Sequence, residues 1–279
     1  MSTDYTLAYG PHGNPDDGRC AMEWVSHLAG EAHSDQPACV SLVLRAFCTA
    51  LNDSLEDEPR QRLRPYLART IGTADDGLDE ARSWMAMDWL IRTYTPTWLS
   101  VAHLLPPARC LSDLPPVLSS ADLPIALEAL NAARTESRAA WASALGPMRA
   151  ATLTPWAAGR AAAREAAWAS AGAAAWAAAR VAVGDIAGDR ARALAREIGG
   201  DAAAMTGRGA RTGASRAAAR DSARAALTPT IAALQASAFS LLDRMLPTSP
   251  LALSIAGPDA AASAWAEAAT SASALQPSV

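Results

Sequence analysis

Two cysteines, two histidines and three carboxylates fall between Cys20 and Arg45: Cys20, Glu23, His27, Glu31, His33, Asp35 and Cys39. Half of the chain's four cysteines and half of its four histidines lie there. Thiolate, imidazole and carboxylate are the ligand types of zinc and related divalent metals. On a helix Cys20, Glu23 and His27 fall at i, i+3 and i+7, on one face. His33 and Cys39 follow the Gly30 turn and would close a metal site from the other side. These five are the metal-ligand candidates, although their spacing matches no standard zinc signature. A plainer reading makes Cys20 and Cys39 small core residues, Glu23 a carboxylate at a helix N-terminus and His27 a cation at its C-terminus. A third reading makes Cys20 a nucleophile, activated by a nearby histidine and by its place at a helix start. No oxyanion-hole motif or third orienting residue accompanies it.

A second constellation is electrostatic. Arg208, Arg211, Arg216, Arg220 and Arg224 are interrupted by a single acid, Asp221. The last three form an i, i+4, i+8 stripe if helical, which suits phosphate backbones. No aromatic residue interleaves them, so base stacking is not indicated. Between Arg134 and Arg224, 14 arginines meet 7 acids; the rest of the chain has 10 against 21, so the two halves can equally attract each other. All 24 basic residues are arginine. Codon bias explains that, as does selection for arginine's planar fork.

The elements that must position these groups read as helices. No run alternates β-branched and polar residues convincingly, and the expected fold class is all-α. An irregular arm over residues 1–18 leads to a helix from Arg19 to Leu28, capped by Asp16 or Asp17 and stopped by Gly30. Ser34 and Asp35 are expected to cap the next, with Pro37 in its first turn and its end near Leu51. Further helices are expected over 60–70 and 79–99, with Pro96 kinking or ending the second, and over 97–105. The second of these is dense in bulky residues (Trp84, Met85, Met87, Trp89, Tyr94 and Trp98), a core helix or an aromatic platform. Asp88 and Arg92 can pair on it at i, i+4. Prolines 106, 107, 115, 116 and 124 punctuate a connector.

Beyond residue 124 alanine dominates. Helices are expected over 125–144, broken by Gly146-Pro147, and over 156–183, interrupted near Gly184 and Gly188. Others are expected over 189–198, stopped by Gly199-Gly200, then over 216–227 and 229–246. A flexible basic loop over 207–215 separates them, and a weakly ordered tail follows. Trp156/Arg160, Arg164/Trp168 and Trp176/Arg180 are spaced for cation–π stacking. The expected organisation is a compact helical domain over 1–123, including the arm, and an Ala/Arg-rich helical region over 124–279.

Four scattered cysteines in a chain of this length fit reduced thiols and a cytoplasmic protein. No signal peptide is legible. Ala161–Val183, the most apolar stretch, carries Arg164, Glu165 and Arg180 and is not expected to span a membrane. No P-loop, dinucleotide fingerprint, zinc-protease, hydrolase-elbow or kinase motif appears.

The chain also resembles a group of uncharacterised helical proteins of actinobacteria and their phages, over roughly residues 10–105. The resemblance rests on Cys20, Met22 and Glu23, on Leu28-Ala29-Gly30-Glu31, His33-Ser34-Asp35, Pro37 and Cys39. It continues through Leu51-Asn52-Asp53, Ile71-Gly72-Thr73, Arg82-Ser83-Trp84 and the run from Asp88 to Pro96. It implies a bacterial or phage setting and no activity, substrate or site. The leading expectation is a non-enzymatic interaction or assembly protein, with a protein partner or self-association through Ala-rich helices. A metal-dependent site and weak nucleic-acid binding are the alternatives, and whether the chain is an enzyme stays open.

Overall fold

The structure, a computed structural model, describes residues 5–149, 155–182 and 214–246, with side chains over 5–143, 159–175 and 224–246. The described residues are helical and contain no strand, as expected of an all-α fold. The helix expected over 189–198, the stops near it, most of the basic loop and the tail lie outside them. Two compact units divide the described chain. The first holds residues 5–86 and 240–246; the second holds 87–149, 155–182 and 214–239. The division thus falls within a helix and not at residue 123. The proline-rich stretch is no linker, because Pro106 and Pro107 sit in the first turn of a helix, where a missing N–H costs nothing.

In the first unit, α1 (Ala21–Ala29) starts at Cys20 and ends at Gly30, whose left-handed φ of 73° lets its own and the next amide bond back to His27 and Ser26. It buries Ala21, Met22 and Val25 and packs on α2 (Leu42–Ser54) and α4 (Arg64–Thr70). The cap of α2 is Ser41, whose Oγ accepts from Leu44 N at 3.2 Å, and not Ser34 or Asp35. Residues 31–40 remain a loop because Glu31 accepts the amides of Ala38 (2.7 Å) and Cys39 (2.9 Å). The helix expected over 60–70 is split into α3 (Asp57–Arg60), a 3-10 turn (Gln61–Leu63) and α4. Pro65, lacking an N–H, cannot continue the α-helical ladder through that turn.

The arm is not loose. It has no regular secondary structure over residues 5–8, yet its main chain is bonded almost residue by residue. Arg64 donates to Tyr5 O (2.9 Å) and the Trp24 indole to Thr6 O (3.1 Å). The Gln61 amide accepts from Leu7 N (2.8 Å) and donates to Leu7 O (3.0 Å). Asn52 donates to Ala8 O (3.0 Å), and Asp53 accepts from Gly10 N (3.1 Å). The Leu7 side chain is 1% exposed.

Within the same unit, α5 (Asp79–Trp89) carries Arg82, 1% exposed. Arg82 donates to both oxygens of the buried Asp76 (2.7 and 2.5 Å). Its Nε donates to Met245 O at 3.0 Å, at the end of α10 (Ala214–Met245). A cation at the negative end of a helix, serving a carbonyl with no intrahelical partner, is favourable. Arg82→Met would leave the Asp76 carboxylate buried and unpaired, so a loss of about 3–5 kcal/mol is expected from the urea midpoint. Arg82→Lys should also lose stability, because an ammonium cannot reproduce the bidentate fork. An unchanged midpoint in Arg82→Met would contradict this account.

In the second unit, α5 runs into a π-helical turn (Leu90–Tyr94) and then α6 (Thr95–Val101). Pro96 falls in the first turn of α6, and the wider turn before it accommodates the missing hydrogen bond. Trp89, Tyr94 and Trp98 are buried, ring against ring, so the bulky stretch is core. The expected Asp88–Arg92 pair forms at 3.3 Å, and Asp88 also accepts from Val117 N at 2.9 Å. α7 (Leu105–Ser112) packs on α6 and on α8 (Leu123–Arg149), which continues through Gly146-Pro147 without a break. α8 has 27 residues, a length of about 40 Å. The five residues before α9 (Pro155–Ala182) reach at most about 18 Å. Helices so linked, and in contact along their length, must run antiparallel. Trp141 stacks on Trp168 across them at 4.5 Å. Most of the described alanines of α9, Ala161 to Ala175, are buried, and α9 packs on α8 and α6. α10 passes Pro229 unbroken, with Pro229 on its exposed side. Its Arg224–Met245 part, of mean hydropathy 1.4, is the one described segment long and apolar enough to cross a membrane, a test that core helices also pass.

Candidate functional site

Glu23 stands at the third position of α1 and is 1% exposed. Side chains on a helix tilt toward its N-terminus, and the Glu23 carboxylate turns back to accept the Cys20 amide at 2.7 Å. This is one half of a capping box in which Cys20 takes the place usual for Ser or Thr. Its other donors come from the arm: His12 N at 2.5 Å and His12 Nδ1 at 2.9 Å. His33 Nε2 lies 3.7 Å from Glu23 Oε1 and donates to His12 O at 2.9 Å. A carbonyl only accepts, so His33 carries its proton on Nε2; a carboxylate likewise requires the proton on His12 Nδ1.

Burial works to raise the Glu23 pKa. The amides of His12 and Cys20, the His12 ring and the Cys20 thiol outweigh it and hold the carboxyl below its ordinary value. Beyond the ring, Gly18 adopts φ +124°, and a Cβ there would come 3.1 Å from His12 Nε2. Only glycine closes the arm over this cluster.

The five metal-ligand candidates are not brought together. Cys20, Glu23 and His33 share the cluster. His27, in the last turn of α1, is exposed and meets the Trp24 ring edge-on at 5.4 Å. Cys39 is bonded to Glu31, whose pKa is lowered chiefly by the Cys39 thiol and then by the Ala38 amide. Among the described residues no group of three or more His, Cys, Asp or Glu is arranged to hold a metal. The two ring nitrogens at Glu23 and His12 present protons, whereas a metal needs their lone pairs. The surroundings of Cys20 also disfavour the thiolate that a nucleophile needs. Burial pushes its thiol up to about 12 despite the helix start, and burial does the same to Cys48.

His12 escaped the sequence reading. It lies eight residues before Cys20, in a segment of Gly and Pro, and no helical spacing connects it to Glu23. Of the arginine stripe, Arg216, Arg220 and Arg224 lie on α10 at the expected helical spacing, with Arg224 exposed; Arg208 and Arg211 lie outside the described residues. Trp156/Arg160 and Trp176/Arg180 cannot be followed, because in each pair a side chain lies outside them.

No protein-family model, curated protein or solved structure matches the chain.

The carboxylate is favoured by the fold, so the unfolded chain takes up the Glu23 proton first as pH falls. Its contribution is complete above the ordinary value of 4.5 and is lost as the pH drops through the lowered one. Glu23→Gln would set an amide NH2 against the hydrogens of Cys20 N and His12 Nδ1, at a cost of about 1–3 kcal/mol at neutral pH. The gap between wild type and variant should narrow as urea unfolding is repeated from about pH 6 down to about pH 3. A gap independent of pH would show that Glu23 is not held as the carboxylate. The thiols give a second check. Cys110 is exposed whereas Cys20 and Cys48 are buried. A colorimetric thiol reagent should therefore label the native chain at Cys110 first, and Cys110→Ser should remove that fast phase. A fast phase that persists in Cys110→Ser would place a reactive thiol elsewhere.

Proposed function

We propose that the chain works by binding, as a helical interaction and assembly protein, and not by chemistry at its cysteine–histidine cluster. The observation that carries this reading is the commitment of that cluster to structure. Glu23 and His33 bond main-chain groups of the arm and of the start of α1, and Glu31 bonds those of the loop before α2. The thiols of Cys20 and Cys48 stay protonated at neutral pH. Among its described residues the second unit leaves two large apolar side chains exposed: Leu105 is 47% exposed in the first turn of α7, and Ile125 62% in the first turn of α8. Isolated apolar side chains are common at surfaces, and large ones at helix starts are natural anchors for a second helix. Because most of the described alanines of α9 are consumed inside the unit, Leu105 and Ile125 are the surface we assign to assembly. The free cysteines fit a reducing, cytoplasmic setting.

Light scattering behind size exclusion, over a range of loading concentrations, tests the reading. The expected result is a concentration-dependent species larger than the 28.9 kDa chain, made smaller by Leu105→Asp with Ile125→Asp. A monomer at every concentration, or an oligomer indifferent to both substitutions, would refute the assignment.

A further inference from the structure

The arm and its bed are built like a peptide in a receptor. Between residues 5 and 12 the helical unit bonds main chain at nearly every residue, and it also holds the Tyr5 ring, stacked on Trp24 at 4.3 Å, and the His12 ring on Glu23. Arg64 serves Tyr5 O, Trp24 serves Thr6 O, Asn52 serves Ala8 O, and Asp53, Glu23 and His33 serve Gly10 N, His12 N and His12 O. Gln61 pairs with both the N–H and the C=O of Leu7, as a neighbouring strand would. A single aliphatic anchor, Leu7, is fully buried, while Tyr9 points 62% into solvent. One anchor with main-chain recognition is how receptors hold extended segments. The tether back to α1 is suited to release. Residues 13–17 contain Gly13 and Pro15, and none of their side chains is buried.

We propose that the groove between α1, α2 and α4 is a binding site for an extended peptide, that residues 5–12 fill it in cis, and that its occupant in trans is the same arm of a second copy of this chain. The second copy is the occupant that the observations favour, because its arm offers every one of these bonds and the same Leu7 anchor, and only the tether must change course. The site lies in the first unit, away from Leu105 and Ile125, so it goes beyond the assembly surface assigned above and is tested separately from it.

The probe is a fluorescent peptide of residues 4–13, titrated by anisotropy into the full-length chain. In wild type the tethered arm competes at an effective concentration in the millimolar range, so little binding is expected at micromolar peptide. Leu7→Asp expels the chain's own anchor, and saturable binding at least about tenfold tighter than in wild type is expected. Adding Gln61→Ala should weaken that binding by about tenfold, because two main-chain bonds are lost. A peptide of scrambled sequence should not bind. If Leu7→Asp leaves the chain unfolded, Leu7→Ala carries the same comparison, since it shortens the anchor and spares the main-chain bonds. A folded Leu7 variant that ignores the peptide, or a Gln61→Ala addition without effect, overturns the groove. For the second copy, the chain concentrated toward the millimolar effective concentration of its own arm should show a dimer that survives Leu105→Asp with Ile125→Asp and is lost in Leu7→Asp. Peptide binding without any such dimer overturns the second copy as the occupant.

Discussion

The first unit hangs on one carboxylate. Glu23 is almost wholly removed from water, and a charge in that position is tolerable only if donors surround it. They come from three separate places: the amide that starts α1, the amide and ring of His12 on the arm, and at longer range the ring of His33 after the Gly30 turn. Satisfying that charge therefore holds together a helix start, an arm and a loop that share no regular secondary structure. The same need engages the residue types that look chemical in structural bonds. A histidine proton aimed at a carboxylate or a carbonyl is not offered to a substrate. A thiol in a dry environment, beside a negative charge, does not ionise.

Arg82 repeats the principle at the other end of the unit. Its fork is matched by Asp76, and its Nε–H meets α10 at Met245 O. A buried ion pair gains little net stability against an apolar substitute, because desolvation offsets attraction. Removing either partner, by contrast, strands the other in a buried site. Ser41, which caps α2 and donates to Asp79, joins the start of that helix to the first turn of α5 by the same logic.

The second unit is held differently. Its aromatic residues and alanines pack with few polar commitments, and small side chains let α9 lie close to its neighbours. Gly159 shows how close: a Cβ there would come 3.1 Å from that of Ala226 on α10. Helices meeting at that distance tolerate little added bulk.

What the sequence determined by itself was local. Helical periodicity, alanine content, Gly30 as a stop and the Asp88–Arg92 spacing depend on residues within a turn or two of each other, and each is found in the structure. The aromatic density from Trp84 to Trp98 foretold a core for the same reason: so many rings cannot all remain wet. What only the tertiary structure decided was which polar groups answer each other across many residues. Glu23 and His33 were legible as candidates, but His12 was not, nor the bonds from Gln61, Asn52 and Asp53 to the arm. Such bonds follow no period, because they run between a side chain and a distant main-chain group that every residue carries. The same cause moved the start of α2 from Ser34 to Ser41. Both residues can cap, and the choice fell to Glu31, whose hold on the loop amides keeps residues 31–40 from coiling. Proline marks a helix start as readily as a linker, and only packing tells the two apart.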